Sequence, residues 1–223
     1  MLLSMSLQAL DLPRLAAYVV FMLVAVGLHE FAHAWVATRL GDPTPAAEER
    51  LTLNPLSHAD PVGTFVMPVA AQLFGLPLLG WGRPVPTQPY RYTRKVSMRT
   101  GLALVAVAGP LANLALGVLT VVGAGLAARG GVLSKVGGEL AFSFVALNAV
   151  LFVFNLLPIH PLDGGKILAA ILPERLRWID TFTQRFGGML ILALVLVGGG
   201  MLGVLIAPVM AGALELWKVV VSA

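Results

Sequence analysis

Between Leu15 and Ala37 the chain is apolar for longer than most soluble folds tolerate, yet this run contains His29-Glu30-Phe31-Ala32-His33. A segment of that length can cross about 30 Å of hydrocarbon as a helix. A charged group at its centre costs roughly 2.5–3.5 kcal/mol on insertion scales and marks function more often than packing. On a helix, residues four apart share a face, so His29 and His33 can offer imidazole nitrogens to one metal ion. Glu30 sits beside the first of them as a candidate general base. Such a pattern supplies two ligands and a base, and it leaves a third ligand to be found elsewhere. The alternative is a chance match on a buried helix whose polar groups are bonded to their neighbours.

The remainder of the chain supports a membrane setting. Of 223 residues, 58% are hydrophobic and 12% charged, and the mean hydropathy is +0.88, far from the usual soluble composition. The first apolar run is expected to be retained as a span, because removing it as a signal peptide would discard the His-Glu-His set. There is no cysteine, which excludes disulfides, iron–sulfur clusters and thiolate zinc sites. The histidines are His29, His33, His58 and His160. The net charge of +4 is spread over loops without a basic patch interleaved with aromatics, so nucleic acid is not an expected partner.

Spans are expected at roughly Arg14–Thr38, Gly101–Ala128 and Leu140–Leu157, with one long or two short helices over Phe186–Val221, interrupted by glycines 198–200 and Pro208. Residues 41–61 read as a polar loop with four prolines, and 173–185 as a charged loop. Residues 62–80 are apolar but broken by Pro68, Gly75 and Pro77, then run into the proline-rich, basic stretch from Gly80 to Lys95. The span at 101–128 contains Ala108-Gly109-Pro110-Leu111-Ala112-Asn113, with small residues suited to close helix packing and Asn113 expected to make an interhelical hydrogen bond. After the span ending near Leu157 comes Asn155-Leu-Leu-Pro-Ile-His160-Pro-Leu-Asp163-Gly-Gly-Lys166, irregular and polar at membrane depth, which is tolerated only where protein or a water-filled cavity surrounds it.

Asp163 is the strongest candidate for the third ligand, since it combines that depth with a proline-rich approach and a following Gly-Gly pair. A capping role at the start of the next helix is the competing reading. Both motifs lie toward the C-terminal ends of their helices. They meet at one metal only if those helices run parallel, which requires an odd number of crossings between them, so residues 62–80 should enter and leave on one face. The loops at 39–61, 82–99 and 173–186 then share a face with ten Lys or Arg, against two in the opposite loop, and the positive-inside rule puts that face in the cytoplasm.

In this order, HEFAHA, LTLNPLSHADPVGT, GWGRPVP, AGPLAN and NLLPIHPLDGG resemble the site-2 protease family of intramembrane zinc metalloproteases in its compact bacterial form, over residues 22–170. The resemblance implies an α-helical polytopic membrane protein. Its core would be three spans carrying HEFAH, AGPLAN and LDGG, with a re-entrant, proline-rich, β-like segment and one or two C-terminal helices. All of this would form one membrane-embedded domain over 1–223, with the catalytic core at about 14–172 and C-terminal helices at about 186–221. It also implies one zinc per chain held by His29, His33 and Asp163, Glu30 as general base and proton donor to the leaving amine, and Asn155 as an aid to substrate or oxyanion binding. Its expected partners are a transmembrane substrate, the bilayer and a regulatory membrane protein. The extended 62–92 region is expected to pair with an unwound substrate strand. His160 stands where the family commonly has proline, and it is expected to line the approach without binding metal; no PDZ or CBS module accompanies the core. His58 and Lys166 have no role in this reading. A metal-ion transporter and an inactive, helix-binding relative are the competing functions.

Overall fold

The computed structural model describes residues 11–74, 80–92 and 96–222. It is helical throughout, with α1 at Leu12–Arg39, α2 at Thr44–Ala47, α3 at Met67–Leu73 and α4 at Met98–Arg129. These are followed by α5 at Lys135–Asn155, α6 at Asp163–Ile171, α7 at Arg177–Val197 and α8 at Gly199–Ser222. Among the described residues, five helices are long and apolar enough to cross a membrane: α1, α4, α5, α8 and the segment Glu174–Val197 that contains α7. No strand occurs among the described residues, and one antiparallel bridge, Ala59 to Gly82, is the nearest approach to a sheet.

Local signals set the helix ends. The Asp11 carboxylate accepts from the Arg14 backbone N–H at 3.0 Å, and Pro13 occupies the first turn of α1. At the other end Gly41 adopts φ 109°, while Asp42 N–H reaches Ala37 O at 3.0 Å and Gly41 N–H reaches Thr38 O at 3.1 Å. This pair of bonds closes the last turn, and it needs a residue free of Cβ at Gly41. Ser97 and Ser134 cap α4 and α5 through bonds from Thr100 N–H and Gly137 N–H.

The central helix is α4, which packs on α1, α5, α6 and α8. Met22, Ala25 and Leu147 are buried between α1 and α5, with the Phe21 and Phe144 rings meeting across the seam at 5.1 Å between centres, tilted by 56°. Helix α8 packs on α4 through residues such as Val220 beside Gly125, while Val204 and Val219 face outward as expected of a lipid-facing helix.

Three expectations require correction. Residues 61–73 are helical and not extended: Pro61–Val66 winds as a π-helix and continues into α3. The cause is Asp60, whose carboxylate accepts from Val62 N–H at 3.0 Å and Gly63 N–H at 2.6 Å and so nucleates the first turn. With six residues in the first piece and seven in the second, this hairpin arm covers about 20 Å and is too short to cross. Residues 80–88 carry no helix, and residues 75–79 of the expected re-entrant piece lie outside the described residues. Second, LDGG is not on a span. Helix α5 ends at Asn155, and Asp163 opens the separate short helix α6 after a turn. Third, the charged stretch 173–185 is mostly helix, since α7 begins at Arg177. Of the two readings of the C-terminal region, two helices is the one observed, broken at Gly198 and with Pro208 inside α8.

Candidate metal centre

Three donor atoms from two distant parts of the chain converge. His29 Nε2 and His33 Nε2, one turn apart on α1, are 3.0 Å from each other, and each is 3.1 Å from Asp163 Oδ2. All three residues are buried. Leu162 occupies the cap position of α6 and makes no side-chain cap bond, so the carboxylate of Asp163 serves the histidines and not its own helix.

The other ring nitrogens decide the chemistry. His29 Nδ1 lies 2.6 Å from Asn113 Oδ1, and His33 Nδ1 lies 2.7 Å from Val105 O. Both partners are acceptors, so both Nδ1 atoms donate. The orientation of Asn113 is fixed in turn, because its Nδ2 donates to Ala25 O and to Asn148 Oδ1, each at 3.1 Å, and Asn148 Nδ2 donates to Phe144 O at 2.9 Å. Each neutral imidazole therefore presents a bare Nε2 lone pair to the other and to a carboxylate oxygen. Three acceptors this close repel unless a cation lies among them. Two imidazoles and one carboxylate match a catalytic zinc donor set, and tetrahedral zinc with ligands at about 2.0–2.1 Å needs donor separations of about 3.3–3.4 Å. The triangle fits the ion after opening by a few tenths of an ångström.

Backbone proximity makes this convergence possible. A Cβ on Gly109 would stand 2.5 Å from His29 Nε2 and closer still to that of His33, so α4 can pass behind the imidazoles only as glycine. Gly164 and Gly165 serve α6 similarly. A Cβ on Gly164 would collide with the carbonyls of Leu156 and Leu157, and one on Gly165 would stand 2.7 Å from His160 N. The Gly-Gly pair thus seats α6 against the turn that precedes it, which aims Asp163 at α1.

Glu30 lies with His29 and His33 in a group whose possible ligand atoms are all within 4.8 Å of one another. Its Oε2 accepts from Val85 N–H at 2.8 Å. The 80–88 segment is held over the site by further bonds: Arg83 N–H to His58 O at 2.8 Å, Arg50 Nη2 to Arg83 O at 2.5 Å, and Gln88 N–H to Asp42 Oδ2 at 2.6 Å. His58 is fully buried and donates from Nε2 to Thr52 O at 2.9 Å, a structural role in this loop. A cavity of about 420 Å³ opens beside the three donors, walled by Trp81, Val85, Val105, Phe154, Asn155 and Lys166 among others. Asn155 is therefore at the site, with one amide hydrogen given to Leu151 O at 3.0 Å.

Lys166 Nζ is 2.9 Å from Asp163 Oδ1. The Lys166 ammonium beside Oδ1 favours the ionised carboxylate at this buried position. His160 does not line the cavity. Its Nε2 meets Asp180 Oδ1 of α7 at 2.8 Å, so it faces away from the donors. Asn148 gives no signal in the sequence, being a lone polar residue in the apolar stretch 144–154. Asn113 was visible as an interhelical bond but not as the partner of a histidine.

An acceptor-only trio beside a carboxylate, within a protein of several apolar spans, defines the class as a membrane-embedded metallohydrolase. The chain belongs to peptidase family M50, the site-2 proteases. The family model, described as Peptidase family M50, matches residues 133–199, which include Asn155 and Asp163. YwhC of Bacillus subtilis is 36% identical over 187 residues, covering 79% of this chain and 78% of that protein. Rip2 of Mycolicibacterium smegmatis is 35% identical over 198 residues, 85% of this chain and 72% of its own. MJ0392 of Methanocaldococcus jannaschii is 24% identical over 185 residues, 82% of this chain and 43% of its own. All three carry names that describe zinc metalloproteases. No solved structure matches the chain.

Proposed function

We propose that this protein is a zinc-dependent endopeptidase that hydrolyses a peptide bond within or near a transmembrane segment of a membrane protein, as in regulated intramembrane proteolysis. The observation that carries the reading is the 3.0–3.1 Å triangle of His29 Nε2, His33 Nε2 and Asp163 Oδ2, with Glu30 beside it and apolar walls around it. These three residues would hold the zinc, which when bound acts as a Lewis acid toward water and the scissile carbonyl. Glu30 takes the proton from the attacking water and returns it to the leaving amine. Val85 N–H holds Glu30 Oε2, which leaves Oε1 to do this. Asn155 has a second amide hydrogen free to donate toward the developing oxyanion. Apolar walls such as Val105 and Phe154 limit the water that enters.

Roles separate by experiment. Glu30→Gln should abolish cleavage of a membrane-protein substrate while the purified protein keeps one zinc, whereas Asp163→Ala should lose both. Equal zinc loss in the two variants would sink the assignment of Glu30 to proton transfer.

The active site opens toward the cytoplasm in this reading. Supporting it are the Lys and Arg counts, ten on the face of the loops at 39–61, 82–99 and 173–186 against two opposite, and the shortness of the 61–73 arm. Single cysteines at Ser57 and Ser97 should both react with an impermeant thiol reagent only after the cytoplasmic face is exposed. Labelling of the two from opposite faces would refute this topology.

A further inference from the structure

Asp163 divides its two oxygens between different partners. Oδ2 faces both histidines at 3.1 Å, and Oδ1 meets Lys166 Nζ at 2.9 Å. The two residues are three apart on α6 and so share a face. Among the described residues walling the cavity, Lys166 is the one Lys or Arg. Its side chain is 42% exposed, against 5% for Asp163. The ammonium is therefore wet on one side and closes over a carboxylate that is dry.

We infer that Lys166 is a positioning residue for the metal centre, fixing Asp163 so that Oδ2 alone converges with His29 Nε2 and His33 Nε2. The inference rests on the donor set proposed above. A buried carboxylate with only one oxygen engaged leaves the other desolvated and unpaired, which is costly. Without Lys166, Asp163 can recover that loss by turning about χ2 to bring Oδ1 inward as well, or by swinging toward the water in the cavity. Either movement spoils the three-donor geometry that leaves room for a water molecule. Lys166 prevents both, since it ties Oδ1 to the same short helix that carries Asp163. Its carbon stem also shields the carboxylate from the cavity. Outer-shell partners of this sort typically contribute 10- to 100-fold in metal affinity or activity.

The test uses the full-length protein in detergent, loaded with cobalt(II) as a visible probe of ligand geometry. Lys166→Met should keep one metal per chain, bind it about 10- to 100-fold more weakly in competition with a chromophoric chelator, and change the visible absorption band. Cleavage should drop through kcat with KM unchanged, because the substrate is not what Lys166 holds. Lys166→Arg keeps a cation within reach of Oδ1 and should restore the band and most of the affinity. Lys166→Gln, which can still donate to Oδ1, serves if the methionine variant does not fold, and should fall between wild type and the loss. Unchanged affinity and an unchanged cobalt band in Lys166→Met, or in Lys166→Gln should it stand in, would overturn the inference, whatever happens to cleavage. A wild-type protein that takes up no cobalt would instead overturn the donor set itself, so the two failures are distinguishable.

Discussion

The α1–α4–α6 junction and the α7–α8 pair are built from similarly apolar helices but behave as different materials. At the junction the polar side chains around the donors are held one by another: His29 rests on Asn113, Asn113 on Ala25 and Asn148, and His33 on Val105. The helices there approach until only glycine fits. Around α7 the attachment to the site region is narrow, namely the His160–Asp180 pair and the seat of Gly187 against His160 O. Helix α8 buries none of its most apolar window. The lesson is that apolar character positions a helix in lipid, whereas position relative to another helix is set by the few polar bonds and small residues between them.

Two substitutions probe this contrast, the larger first. Gly109→Ala adds one methyl group at 2.5 Å from His29 Nε2, so α4 or the imidazoles must shift. The expected result is loss of bound zinc as complete as for removing a ligand, read as metal per chain in a protein that still elutes as a folded species. Retention of stoichiometric zinc would mean that the junction yields far more than close packing allows. Asp180→Asn tests the looser region. It removes a charge from a partly exposed pair, and such pairs contribute about 0–1 kcal/mol, so zinc content should be unchanged and cleavage should fall by no more than about 5-fold. A loss as deep as that of Gly109→Ala would show that α7 is as tightly coupled to the metal as α4.

The same contrast explains what could be read from the sequence. HEFAH and the two histidine positions were legible because a four-residue helical spacing maps directly to one face, and the spans were legible because length and hydropathy suffice. Asp163 could be singled out by its depth and its glycines, though its glycines serve close packing on Leu156 and Leu157 and not flexibility. What stayed hidden were relations between segments. Nothing in the sequence near Asn148 indicates that it would orient Asn113, 35 residues earlier. Nor does the sequence near His160 point to Asp180, which lay in a stretch read as a loop. The helical winding of 61–73 was missed because Pro68 and the later Pro77 suggested a broken, extended path, whereas Asp60 and Pro61 supply a strong helix start.

The bond from Val85 N–H to Glu30 has a consequence for alignment. Pro84 and Pro86 flank Val85 and carry no N–H, so sliding the 80–88 segment by one residue in either direction would offer Glu30 nothing to accept from. A one-residue slip is thus excluded at the point where the segment crosses Glu30, as a ratchet tooth blocks a half step.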